Sequence, residues 1–430
     1  MYKTRIFFLI SLIVNAFYLI LTFIFFYFLD SPLMSINEND YLSFYYAGRN
    51  VIQNLPKLYS SSLSPFPFRY LPLSAYFFTP FSLLGLRLGY FIFQIFNFFL
   101  NLLLLYIMYR IIQNYIDLRS DSNSHFELNN FRDIFNNQEN ESVLHQYSVY
   151  LIMLPQFMNY FLGQINLIVL LFILSSILYF LKEGIKNELI GGFFIGLSLL
   201  FKPSLILILP FLVVLNYDKE TKKIIFNFKK TAIRLLGSIV LLLISGIYFL
   251  IYSEMFTDFI AVNLTGKFTY TTESGLEINP SFSFTRILLI LMDLINIEIN
   301  GFLIFLVITL TFLIPIYYYY IQIANKPIML INGYLVGIVV MLIVYFDSWP
   351  HHIVVLAPFL IFFILFEKNF KYSKLFKYLH YLIVILIVGF WGIYYLTFQL
   401  FPFNLGGLVL MVLLYTCLIS YYKNHVKVSP

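Results

Sequence analysis

Charge is scarce in this chain. Only 11% of its 430 residues are Asp, Glu, Lys or Arg, against 60% hydrophobic and 20% aromatic. A soluble domain cannot hide that much apolar surface, so the scarcity excludes an ordinary soluble enzyme and implies membrane spans. Cysteine occurs once, as Cys417 in the last apolar run. That excludes an intramolecular disulfide and leaves the role of a small apolar filler. The six histidines form no cluster with zinc spacing, so no metal site is indicated, and a divalent-metal requirement stays open. No phosphate loop or dinucleotide fingerprint is present, so a nucleotide-driven reaction has no visible machinery. The net charge of +6 comes mostly from Lys and Arg in short links between apolar runs, where they set orientation in a membrane rather than bind nucleic acid.

What is present is a series of long apolar runs, at 6–29, 88–112, 147–161, 164–182, 189–201, 203–216, 231–252, 300–321, 328–346, 352–366, 378–397 and 404–422. At about 20 residues per span they predict an all-α polytopic membrane protein, residues 1–430 forming a single bundle of about twelve helices. The segment 71–86 is apolar but broken by Pro72 and Pro80, as in a re-entrant or interfacial piece. The first run, Ile6 to Leu29, is longer than a signal-peptide core and lacks a small-residue cleavage site, which predicts a retained span with Lys3 and Arg5 on the cytoplasmic side. The cation-rich links 217–234 and 367–377 and the tail with Lys423 and Lys427 fall on that same side. The expectation is a multi-pass plasma-membrane protein with cytoplasmic N- and C-termini and outer loops at 30–70, 253–285, 347–351 and 398–403. The stretch 113–146 is polar and Asn-rich, a cytoplasmic insertion. Asn263-Leu264-Thr265 is a glycosylation sequon in an outer loop.

Against this background the loop 30–70 stands out, because it gathers Glu38, Asp40, Arg49, Lys57 and Arg69 next to the first span. Carboxylates and cations held at a membrane edge mark a functional site by default, and a merely solvated loop is the bland alternative. The predicted topology brings further polar clusters to the same face. They are the turn Gly163-Gln164-Ile165-Asn166, Lys202-Pro203 at a hairpin tip, Asp347 to His352, and a stretch ending at Arg286. Each has a structural reading as well. Lys202 can snorkel to the interface. Gln164 and Asn166 can bond across the bundle. Trp349 can be an interfacial anchor. His351 and His352 point about 100° apart on a helix, so at most one faces a given ligand. Asp40 can pair with Arg49 or Arg69, and Glu38 is a rival base. Mid-span polar residues look few, with Asn15 and Gln94 isolated.

In order along the chain, these motifs resemble the polytopic GT-C glycosyltransferases of family 87, the polyprenol-phosphate-mannose-dependent mannosyltransferase group. The resemblance is carried by DYLSFYYAGRNVIQNLPKLY (Asp40 to Tyr59), FRYLPL (Phe68 to Leu73), the Gly163–Asn166 turn, a Gly-rich helix ending in Lys202-Pro203, the Asn279 to Arg286 element and Ser348 to His352. Leu71, Pro280 and Pro350 depart from the family pattern. The resemblance implies a hexosyltransferase with a GT-C-type bundle, functional outer loops and no bound cofactor. Its donor would be a polyprenyl- or dolichyl-phosphate sugar, with mannose as the hexose, and its acceptor a glycolipid or glycan, both met at the lipid bilayer. It further implies Asp40 as the catalytic general base. Lys202, Arg69, Arg286, His351 and His352 would serve the donor phosphate. Gln164, Asn166, Asn279, Tyr45, Tyr46 and Trp349 would serve the sugar or acceptor. A membrane transporter or lipid flippase is the alternative, since a polar vestibule and broken helices suit that class too.

Overall fold

The computed structural model describes residues 2–28, 39–59, 67–118, 132–136, 140–182, 184–218, 221, 223–264, 281–295, 297, 300–322, 328–366 and 405–428. Asn279, Glu38, the loop 398–403 and the run expected to span at 378–397 lie outside them. The described chain is almost entirely helical. It opens with α1 (Tyr2–Phe28), α2 (Tyr41–Gln53), α3 (Pro72–Leu83) and α4 (Leu86–Leu118). The short α5 (Asp133–Asn136), α6 (Glu141–Ile152), α7 (Leu154–Phe161), α8 (Asn166–Phe180) and α9 (Ile185–Phe201) follow. A 3-10 helix (Pro203–Leu212) leads into a two-stranded antiparallel hairpin, β1 (Leu215–Asp218) and β2 (Lys223–Phe226). Then come α10 (Phe228–Ile251), α11 (Ser253–Leu264), α12 (Phe284–Leu294), α13 (Gly301–Ile321), α14 (Ile328–Val344), α15 (Ile353–Phe366) and α16 (Leu405–Val428).

Among the described residues five helices are long and apolar enough to cross a membrane, namely α1, α4, α10, α13 and α16, or six if the bent pair α7–α8 counts as one span. This makes the chain a multi-pass membrane protein, but not one with twelve full-length spans among the described residues. The shortfall has local causes. Lys202 precedes Pro203, and the proline ring drives the residue before it out of the helical region, so α9 stops at Phe201. The following 3-10 piece carries Pro203 and Pro210 and is only 10 residues long. The expected run 147–161 breaks at Met153, whose extended backbone ends α6 before Pro155 opens α7. Gly163 takes φ +66°, a left-handed conformation that glycine adopts without a Cβ penalty, and α7 and α8 meet there at 120°.

The insertion expected at 113–146 is shorter than its composition suggests. Helix α4 runs to Leu118 and α6 begins at Glu141. The outer loop expected at 253–285 likewise contains α11. Asn263 is buried there and donates to the Phe259 carbonyl, so the sequon does not present a free asparagine.

Helices α9 and α10 approach closely through small residues. A Cβ on Gly196 would lie 2.6 Å from the Ser238 carbonyl oxygen, and Gly192 and Gly237 are tighter still against backbone. Such contacts substitute for a hydrophobic driving force that lipid does not supply. Glu188 and Arg234 pair at 2.5 Å beside them, and the guanidinium covers the Phe180 ring at 4.3 Å. At the centre of the bundle α15 is buried on every side and α14 nearly so. By contrast α10 shows exposed leucines and isoleucines such as Leu243, Ile247 and Leu250, the surface a lipid-facing helix needs.

Candidate functional site

Asp40 is the residue before α2. Its carboxylate accepts a hydrogen bond from Gln164 Nε2, which reaches it from the turn between α7 and α8. That turn is pinned from several sides. Asn39 Nδ2 donates to the Phe161 carbonyl at 2.7 Å, and Tyr90 of α4 donates to the carbonyls of Tyr160 and Phe161 at 3.0 and 3.1 Å. Gly163 is needed at its tip, where a Cβ would meet Tyr41 Cβ at 2.7 Å and Asn39 Oδ1 at 3.0 Å. Burial, with the Asp347 carboxylate next, pushes the Asp40 carboxyl up to about 7, while the Gln164 hydrogen bond and the Arg69 cation pull it down. A carboxyl near neutrality holds its proton about half the time, the condition under which a general base works best.

Lys202 sits at the break between α9 and the 3-10 helix and is only 6% exposed. It does not snorkel. Its Nζ donates to Asn166 Oδ1 at 2.9 Å, and Asn166 Nδ2 in turn faces the His351 carbonyl at 3.4 Å. Burial pulls the ammonium down to about 7, opposed by the Asp347 charge. Asp347 therefore acts on both titrating groups. It is held by Arg69 at 2.9 Å and by Trp349 Nε1 at 2.7 Å. With a guanidinium and an indole N–H already on it, Asp347 is a charge-balanced carboxylate and a poorer base than Asp40, which takes a side-chain hydrogen bond from the neutral Gln164 amide. Lys202 lies within charge range of both His351 and His352, whose rings meet edge-on at 4.5 Å.

Asp40, Arg69, Gln164, Asn166, Lys202, Asp347, His351 and His352 thus come from across the chain into one mostly buried cluster holding two acids and two cations. Other expected residues stand in different places. Arg286 is buried and donates from Nε to the Phe346 carbonyl at 3.2 Å, which makes it a brace for the Asp347 turn. Trp349 orients Asp347 rather than standing as a free anchor. His352 accepts from the Trp349 amide at 3.3 Å, and both histidines are buried. Arg49 does not pair with Asp40 but lies over the Tyr45 ring at 5.8 Å. Tyr45 and Tyr46 pack edge-on against each other. Tyr45, Arg49, Gln53 and Ser82 line a separate open cleft of about 340 Å³.

Sequence reasoning missed Asn39, Tyr90 and Asn97, which hold the Gln164 turn, and Tyr70 and Tyr345, which flank Arg69. The hydroxyls and amides carried no local motif, although Asn97 stands three residues after Gln94 and four before Asn101, one helical face. Asn15 and Gln94 are also not isolated. Tyr160 donates to Asn15 Oδ1 at 3.0 Å, and Gln94 Oε1 faces Asn97 Nδ2 at 3.4 Å. Among the described residues no group of three or more His, Cys, Asp or Glu side chains is placed to hold a metal ion.

Neither the curated proteins nor the solved structures contain a match to this chain. The model of glycosyltransferase family 87 matches residues 68–345, which takes in Arg69, Gln164, Asn166, Lys202 and Arg286 and leaves Asp40, Asp347 and the histidine pair outside. The match covers well over half of the sequence, and the chain belongs to glycosyltransferase family 87.

Proposed function

We propose that this glycosyltransferase moves a hexose, mannose in the first instance, from a polyprenyl- or dolichyl-phosphate-linked donor to a hydroxyl of a glycolipid or glycan. The reaction runs at the outer face of the plasma membrane, with both termini cytoplasmic, and inverts the anomeric configuration. The observation that carries this reading is the pairing of a near-neutral carboxylate, Asp40, with a near-neutral ammonium, Lys202, in one sheltered cluster on a lipid-embedded scaffold.

The chemistry balances with these two groups. The acceptor oxygen attacks the anomeric carbon while Asp40 takes its proton. The bond from that carbon to the phosphate oxygen breaks, its electron pair leaves with the phosphate, and the lipid phosphodiester becomes a monoester. Negative charge grows on the leaving group, and a cation placed there stabilises the transition state. Lys202 takes that role, a reading supported by its burial at the same cluster as Asp347. An arriving phosphate raises its proton affinity, so binding the donor charges the lysine. His351, His352 and Arg69 line the same cluster and supply donors, with Arg286 bracing from behind. Gln164 and Asn166 present amides to sugar hydroxyls, and the role of a further sugar-binding amide is assigned to Asn279. Tyr45, Tyr46 and Trp349 offer aromatic faces to a sugar or lipid. The donor is activated before it arrives, so the enzyme needs no bound cofactor.

A second reading, a transporter or lipid flippase, draws on one observation, the seam of buried amides and tyrosines inside the helices around α4. The test is to incubate the purified protein in lipid vesicles with radiolabelled polyprenyl-phosphate-mannose and a membrane lipid extract. Label in a new lipid or glycan product supports the transferase. Label that only exchanges between leaflets supports the flippase and overturns the proposal.

A further inference from the structure

Helix α4 carries Gln94, Asn97 and Asn101 on one face, all fully buried. The lower part of this stripe is saturated. Asn101 Nδ2 donates to Gln156 Oε1 at 3.0 Å and to Tyr160 Oη at 2.8 Å, while its Oδ1 accepts from Tyr150 Oη at 3.0 Å and from Gln156 Nε2 at 3.1 Å. Through Tyr160 and Asn15 the network ties α1, α4, α6 and α7 together. Such interhelical bonds are ordinary glue, worth about 0.6 kcal/mol each in membrane proteins.

The upper part differs. Asn97 Nδ2 donates to the Gln164 carbonyl at 3.3 Å and lies 3.4 Å from Gln94 Oε1. Asn97 Oδ1 and Gln94 Nε2 find no hydrogen-bond partner among the described residues. Burying amides with unmet groups costs stability, so glue does not explain why these two side chains are polar. The contact of Asn97 with Gln164 does, with Gln94 acting on Asn97 from behind. Gln164 has its backbone N–H on the Asn159 carbonyl at 2.9 Å, its carbonyl on Asn97, and its side-chain amide on Asp40. Of the two contacts on its backbone, the Asn97 one comes from outside the α7–α8 segment.

We infer that Asn97, backed by Gln94, is a positioning residue for the transfer reaction: by holding the Gln164 carbonyl it keeps the Gln164 amide aimed at the Asp40 carboxylate. This rests on the reading of Asp40 as the base. Asn101, about one turn deeper on the same face, is structural. The distinction has a titration signature, because the Gln164 bond favours the charged carboxylate. Asp347, Arg69 and Tyr70 also act on Asp40, and each lies outside α4. Letting Gln164 drift therefore raises the proton affinity of Asp40 and moves the acid limb of the activity profile to higher pH.

The experiment compares pH profiles of kcat/KM for the wild type, Asn97→Leu, Gln164→Leu and Asn101→Leu in lipid vesicles. Both Asn97→Leu and Gln164→Leu are expected to move the acid limb upward by about half a pH unit or more. Asn101→Leu is expected to lower the melting temperature while leaving the limb in place. An unmoved limb in Asn97→Leu, or an equal move in Asn101→Leu, overturns the inference. If Asn97→Leu does not accumulate, Asn97→Ser is measured, whose hydroxyl is too short to reach the carbonyl, and a wild-type limb there is the same refutation. Failure of the underlying reading looks different: Asp40→Asn then turns over like the wild type, whatever the seam does.

Discussion

Replacing Asp40 by Asn is expected to abolish transfer and, at the same time, to stabilise the protein in a pH-dependent way. The folded carboxyl titrates near 7 against an ordinary value of 3.8, chiefly because it is buried. A raised folded value means that the native state holds the proton more tightly than the unfolded chain. Stability is therefore greatest when Asp40 is protonated and declines as pH rises through the window from 3.8 to about 7. About three units at 1.4 kcal/mol each give about 4 kcal/mol above that window. The carboxylate keeps some contact with solvent, which screens its charge and brings the figure to about 2 kcal/mol. The asparagine stays neutral and can still bond to Gln164, so the variant escapes the penalty. Its melting temperature, followed in detergent by intrinsic fluorescence, should exceed that of the wild type by a few degrees at pH 8 and by clearly less at pH 5. A difference that is the same at both values, or a variant less stable at pH 8, refutes the argument that Asp40 is a carboxylate held against the pull of its surroundings.

Other consequences follow from the same geometry. Lys202→Met should lower kcat/KM by about a hundredfold or more by removing the charge that meets the leaving phosphate, with the effect read from donor saturation curves. Asp347→Asn removes a charge that raises the proton affinity of both Asp40 and Lys202, so both limbs of a bell-shaped kcat/KM profile centred near 7 should move to lower pH together. Gly163→Ala forces a Cβ into Tyr41 at a positive φ, which should cost about 2 kcal/mol or more and remove activity along with the Gln164 turn, measured by melting temperature and label transfer. Glu188→Gln breaks a buried ion pair and should cost about 3 kcal/mol while leaving the pH profile where it is.

Membrane class and helical character were legible from the long apolar runs, since a stretch such as Ile6 to Leu29 has no other stable home. Where helices break was only half legible. Lys202-Pro203 announces its break through the proline, but the 120° bend at Gly163 depends on a left-handed glycine meeting Tyr41 and Asn39, residues more than a hundred positions away. The same division holds at the site. Asp40, Lys202 and Asp347 were visible because charge is rare here and each lies in a cluster. Which candidate each would pair with was not, because an ion pair such as Arg69 with Asp347 joins loops that no local pattern connects. Asn97 escaped for a different reason: a single amide in an apolar helix reads as an isolated polar residue until the fold shows what it touches.

Label transfer by Asp40→Asn tests the central claim most directly. With purified wild type and variant at equal density in vesicles at pH 7.5, saturating radiolabelled donor and lipid extract, product is counted over time. Removal of the general base predicts a loss of about a hundredfold to ten-thousandfold with donor affinity retained. Turnover within a fewfold of the wild type would contradict the assignment of Asp40 as the group that takes the proton.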